Sequence, residues 1–172
     1  MIQTARLILR PYNISDFDDY LNMVSDPMVA QFLGGQPMRA EDAWNRLLRY
    51  AGHWATFNFG MFAVVEQATN RFLGQTGIAD FHRGLGSDFD GVGEAAWVFT
   101  SKSQGRGYAY EAGMAALKWY NSSEGRQRTV CLIAPDNRAS LILAEKLGYI
   151  PFGNVVYRGG PFVTLERIST QG

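Results

Sequence analysis

The spacing of hydrophobic positions changes several times along this chain, and each change predicts an element. The apolar run from Leu7 to Arg10 stops at Pro11 and predicts a first strand. In NISDFDDYLNMVSDP, Phe17, Tyr20, Leu21 and Val24 recur at helical spacing. Ser15 reads as the N-cap of this helix, acids fill its first turn, and it closes before Pro27. A second helix is predicted from about Arg39 to Phe57, with Ala43, Leu47, Tyr50 and Trp54 along one face. GMFAVVEQATNRFLGQTGIADF predicts two strands joined by a turn around Ala68 to Asn70. HRGLGSDFDGVG reads as a solvated Gly- and Asp-rich loop.

GEAAWVFT predicts the fourth strand, and SKSQGRGYAYEAG leads from it into a helix ending near Ser122. RTVCLIA, the fifth strand, is apolar enough to be central in its sheet. PDNRASLILAEKLGY predicts a helix ended by Gly148. IPFGNVVYRGGPFVTLERI predicts two strands around Gly159–Gly160, with Pro161 at a strand start or edge. The order predicts an α/β (α+β) fold, a mixed sheet with helices on its faces, as one domain over residues 1–172.

Composition narrows this picture. Hydrophobic residues make up 47% and charged residues 19%, a globular rather than disordered balance. Lys plus Arg equals Asp plus Glu at 16 each, which gives no case for non-specific nucleic-acid binding. Cys131 is alone, so no internal disulfide can form; it reads as a buried sheet residue in a reducing compartment. No apolar run reaches the roughly 18 residues that a transmembrane helix needs. MIQTARLILRPY carries no long apolar leader core, so a cytoplasmic location is expected, with no membrane partner.

Chemistry concentrates at Gln104, Gly105, Arg106, Gly107, Tyr108 and Ala109, where side chains are sparse just before a helix. A helix start presents unpaired N–H groups, and glycines let a ligand approach them. The stretch reads as a pyrophosphate cradle or as a tight turn. A P-loop would need Gly-Lys-Ser/Thr, which is lacking. A dinucleotide fingerprint would need a third Gly where Tyr110 stands. Gln-x-x-Gly-x-Ala remains.

This motif resembles the acyl-CoA pyrophosphate motif of the GNAT acetyltransferases. TARLILRPYNISDFDDY and APDNRASLILAEKLGYIPFG resemble the opening and the second signature of that family's ribosomal-protein N-acetyltransferase (RimJ/RimL-like) branch. The resemblance implies a mixed, mostly antiparallel sheet splayed between its fourth and fifth strands, with acetyl-CoA as co-substrate in the gap. It implies an amine acceptor, allows a homodimer and calls for no metal. Trp97, Val98 and Phe99 would pair their backbone with pantetheine amides, as an added strand pairs with a sheet edge. Gln104 to Ala109 would hold the pyrophosphate. The small residues Ala109, Ala112, Gly113 and Ala116 fit that role and close helix packing alike. Tyr110 stands where the family commonly has Ser or Thr.

Many relatives carry a tyrosine acid where this chain has Ala144. In the branch it resembles, a serine takes that part, which falls here on Ser140, with Asn137 contacting pantetheine or an ordered water. Read locally, Asp136 or Asn137 is a helix N-cap and Ser140 a first-turn polar residue. Glu94 is a candidate base if its side chain faces the cleft; Asp80 and His82 are alternatives. His53 reads as a surface or satisfied histidine. Trp44, Trp54 and Phe57 read as mainly core, in a region that borders the family's acceptor site. Asp88, Asp90 and Glu94 read as a solvated cluster rather than a cation site. The leading expectation is direct attack of an amine on acetyl-CoA, with a backbone N–H of the fourth strand facing the oxyanion. A catalytically silent acyl-CoA sensor and an unrelated phosphate-binding domain are the rival classes.

Overall fold

The computed structural model describes residues 1–169. Its strands are β1 Ile2–Gln3, β2 Leu7–Pro11, β3 Met61–Glu66, β4 Phe72–Ala79, β5 Gly93–Phe99, β6 Arg128–Ile133, β7 Ile150–Tyr157 and β8 Gly160–Ile168. Its helices are α1 Phe17–Ser25, α2 Pro27–Ala30, α3 Ala40–Phe57, α4 Tyr108–Glu124 and α5 Arg138–Lys146. All strands join one sheet in the order β1-β2-β3-β4-β5-β6-β8-β7. Every pairing is antiparallel except β5 with β6. The sequence-predicted fourth and fifth strands are β5 and β6, because β1 is too short to show a period.

Alternation along the strands sends side chains to two cores. On one face, α4 and α5 pack over Leu7, Leu9, Val64, Leu73, Ile78, Cys131 and Leu165. On the other, α1 and α3 cover Met61, Ala63, Phe72 and Ala79. β4 is buried from end to end, as the spine of a sheet covered on both faces.

The α1 region departs from its predicted start. A 3₁₀ turn, Ile14–Asp16, precedes the helix, and Asp16 rather than Ser15 organises it. The Asp16 carboxylate accepts the Asn13 N–H at 2.7 Å and pairs with both terminal nitrogens of Arg10 at 2.7 Å. Trp44 and Phe57 also depart from prediction. The buried stripe of α3 is Ala43, Leu47 and Tyr50, while Trp44 and Phe57 are 38% and 42% exposed. Trp54 is half-buried and donates its indole N–H to the Met61 carbonyl at 2.9 Å.

β5 and β6 stay together for only two residue pairs, Gly93 with Thr129 and Glu94 with Val130. Beyond them β5 keeps β4 on one side as far as Phe99, and β6 turns to pair with β8. The sheet therefore splays between its predicted fourth and fifth strands, and burial falls off at Ala96, Trp97 and Val98.

Candidate active site

The splay leaves the β6-facing backbone edge of Ala95–Phe99 outside the ladder. Side chains leave β5 on alternate faces. Ala95, Trp97 and Phe99 belong to the α4–α5 core; Ala96 and Val98 pack into the α1–α3 core. A narrow apolar gap lined by Thr76, Ala95, Trp97, Gly113 and Leu147 lies between β5 and the two helices.

β5 leads through the Ser101–Ser103 turn to the small-residue loop. Gly105 and Gly107 lie at φ 72° and 77°, in the left-handed region that glycine adopts without strain. Gly107 is the α4 N-cap, and no side chain caps the helix. The first helical bond runs from Glu111 N–H to the Gly107 carbonyl at 3.1 Å. The N–H groups of Tyr108, Ala109 and Tyr110 thus stand ahead of the ladder, with the positive end of the helix behind them.

The loop is braced from the N-terminus. Arg6 donates to Glu111 Oε2 at 2.7 Å and to the Arg106 carbonyl at 3.0 Å. Thr4 donates its hydroxyl to Glu111 Oε1 at 2.5 Å. Burial pushes the Glu111 carboxyl up, but Thr4 and Arg6 outweigh it and hold it below the ordinary carboxylate range. Arg6 and Arg106 lie 4.6 and 5.0 Å from the Tyr108 ring centre. Tyr108 is buried and donates its hydroxyl to Glu66 at 2.5 Å.

Across the splay, Asn137 caps α5 and accepts the Ser140 N–H at 3.1 Å. The Trp97 indole N–H donates to the Ser140 hydroxyl at 3.2 Å. That hydroxyl accepts from Trp97, so its own proton is free for another acceptor. Ala144 is fully buried in the α4–α5 core. Tyr149 is buried too, with its hydroxyl bonded to Thr129 at 2.8 Å.

Glu94 leaves β5 on the α1–α3 side and is 3% exposed. Arg83 pairs with both its oxygens at 2.7 Å. The guanidinium lies 5.0 Å from the ring centres of both Phe81 and Tyr157. Burial raises the Glu94 pKa above the ordinary carboxylate range, and Arg83 offsets only part of this. His82 is largely exposed and 3.9 Å from Asp80, so it does not turn into the cleft. His53 accepts the Asp80 N–H at Nε2, 2.9 Å, which leaves Nδ1 to donate to the Phe59 carbonyl at 2.6 Å. Asp90 accepts the N–H groups of Gly84 and Gly86 at 3.1 Å and shapes its loop.

The structure thus brings Trp97, Ser140 and Asn137 together and sets Glu94 near the splay's vertex. Three side chains of the expected contact residues turn inward, while the contacts expected of these residues are those of their backbone. The Gln104 amide turns back to the Phe99 carbonyl at 3.3 Å, which ties the loop to the strand. The Tyr108 side chain is core, so only its backbone faces the loop. Phe99 is buried as well. Arg6, Arg83 and Trp97's bond to Ser140 escaped the sequence, because each joins segments that only the fold brings together.

An open strand edge beside an uncapped, glycine-led helix start suits an extended ligand that carries a pyrophosphate, as acyl-CoA does. The comparisons agree. Residues 6–150 match the acetyltransferase (GNAT) domain. A GnaT-family acetyltransferase structure from Bordetella pertussis is 36% identical, with TM-score 0.86 over 96% of this chain and 98% of that one. YkkB of Bacillus subtilis is 30% identical over 113 residues, 66% of this chain and 63% of YkkB, just under two thirds of its length. The N-acetyltransferase YnaD of the same organism is 25% identical over 86% of this chain and 81% of its own. The chain belongs to the GNAT acetyltransferase family. It is an acetyl-CoA-dependent acyltransferase.

Proposed function

We propose that the protein acetylates a primary amine by direct attack within a ternary complex, and that it falls in the RimJ/RimL-like branch of its family. On this reading the whole chain serves as one acetyltransferase unit. Acetyl-CoA supplies a thioester carbonyl. The pantetheine arm pairs with the free edge at Trp97, Val98 and Phe99, and the pyrophosphate meets the N–H groups of the Gln104–Ala109 loop. Arg106 adds positive charge there.

The observation that carries the mechanism is the Trp97–Ser140 contact. Asn137 fixes the first turn of α5, and the Trp97 N–H occupies one lone pair of the serine oxygen. The Ser140 proton is left to point at the departing sulfur. As the amine's C–N bond forms and the C–S bond breaks, the Ser140 hydroxyl donates a hydrogen bond to the departing thiolate and relays it a proton from solvent, so that the serine ends protonated. β5 N–H groups face the developing oxyanion.

Glu94 takes the proton that the amine loses, directly or through one water. Arg83 uses two of the carboxylate's roughly four acceptor sites and leaves others for this. The test is thiol release from acetyl-CoA across a panel of amines. Ser140→Ala is expected to lower kcat on the order of 100-fold with an unchanged circular dichroism spectrum. Unchanged turnover in that variant removes Ser140 from the reaction.

A further inference from the structure

The loop at 33–39 and the first half of α3 enclose a groove of about 510 Å³, the size of a small-ligand site. Its lining includes Leu33, Met38, Arg39, Asp42, Arg46 and Arg49. Asp42, Arg46 and Arg49 recur at helical spacing and so share one face of α3. Three arginines against one aspartate is a local excess in a chain whose charges balance overall. Arg39 holds Asp42 at 3.3 Å. Among the described residues no carboxylate pairs with Arg46 or Arg49. Arg46 is half-buried, where an unneutralised cation is costly and an incoming anion would offset the cost.

The groove and one face of β5 border the same apolar core. Leu33 and Met38 pack into the same apolar cluster as Phe81, Ala96 and Val98. Arg49 lies 5.9 Å from the Phe81 ring centre, and the same ring lies 5.0 Å from Arg83, which holds Glu94. The contacts from Arg49 to Phe81 and from Phe81 to Arg83 thus lead from the groove to Glu94, the base of the acetyl-transfer reading.

We infer that this groove binds an anionic group, carboxylate or phosphate, carried by the amine acceptor. The acceptor is then an amine and an acid at once, held at one end by the arginines and attacked at the other. This rests on the acetyl-transfer reading above. Guanidinium groups suit both oxyanions, because their planar fork of donors matches either.

Matched pairs of acceptors separate the possibilities: β-alanine against its amide, O-phosphoethanolamine against ethanolamine, and spermidine as a cationic control. The acid of at least one pair should exceed its neutral partner in kcat/KM by about tenfold or more. Which pair shows the larger ratio tells carboxylate from phosphate. The ratio should fall as salt is raised, since Arg49 is exposed and Arg46 only half-buried. Arg46→Glu with Arg49→Glu should abolish the preference through the acceptor KM and leave the KM for acetyl-CoA unchanged.

Equal or better use of the neutral partners, or of spermidine, overturns the inference, as does a preference that survives the double charge reversal. Calorimetry with acetyl-CoA on the same preparations keeps the two readings apart. Acetyl-CoA binding with turnover of neutral amines only refutes the anionic groove and leaves acetyl transfer standing. Absence of acetyl-CoA binding refutes both.

Discussion

At the scale of single residues, the site divides into groups with local signatures and groups without. Gly107 and Ser140 stand out in the sequence, since one lies in a small-residue run and the other beside an N-cap asparagine. Trp97 did not read as a donor, because its partner is 43 positions away and the period of β5 says only which face it takes. Arg83 lies in a loop whose composition reads as solvated, yet it neutralises the most buried carboxylate of the site.

Two expectations follow at this scale. Trp97→Phe keeps the ring and loses the N–H, so acetyl transfer should slow about three- to tenfold, the worth of one hydrogen bond. That loss should shrink with thioesters of more acidic thiols, whose departure needs no proton. An equal loss with every thioester would make Trp97 a packing residue only. Glu94 must be ionised to act as a base, so kcat/KM should rise with pH through its pKa, which burial places above the ordinary carboxylate range. Glu94→Gln should lower the rate and erase that limb; a variant with the same acid limb would remove Glu94 as the base.

At the scale of elements, period predicted the longer strands and helices well. It failed where elements are too short to show one, at β1 and α2. Reading Trp44 as core fails for a reason the period itself supplies: it is one residue from the stripe of Ala43 and therefore about 100° around the helix. Gly93 shows a different limit: a Cβ there would collide with the Tyr120 hydroxyl, a close approach that no local pattern reveals.

The joins between elements are where stability and binding can be probed. Glu111 couples the N-terminal segment to the cradle, so Glu111→Gln should loosen the loop and raise the KM for acetyl-CoA several-fold at unchanged kcat. A change confined to kcat would contradict the brace. Asp16 couples β2 to α1. Burial pushes its carboxyl up, but Arg10 and the Asn13 N–H prevail and lower its pKa in the fold. Its contribution is therefore present above the unfolded carboxylate range and lost as pH falls through the lowered value. Asp16→Asn should cost about 2 kcal/mol near neutral pH, measured by urea unfolding. The gap from the parent should close in acid; a pH-independent gap would deny the ion pair its role.

At the scale of the molecule, one departure from regularity organises the rest. A sheet that pairs β5 with β6 for two residues and then parts them exposes a strand edge, aims it at a helix start and sets α5 across the opening. The order of elements announced the mixed sheet. The splay itself was legible only through resemblance, because the pattern along β5 and β6 is that of ordinary buried strands. Charge behaves alike: the chain totals to zero, yet the fold gathers arginines at α3 and around the Gln104–Ala109 loop.

Hydrogen exchange with and without acetyl-CoA tests the placement of the co-substrate most directly. Amides of Ala95–Phe99 and Gly105–Tyr110 should gain protection together on binding, while β2 and β3 stay unchanged. Protection that appears elsewhere, or at the loop without the strand edge, would contradict a co-substrate lying in the splay.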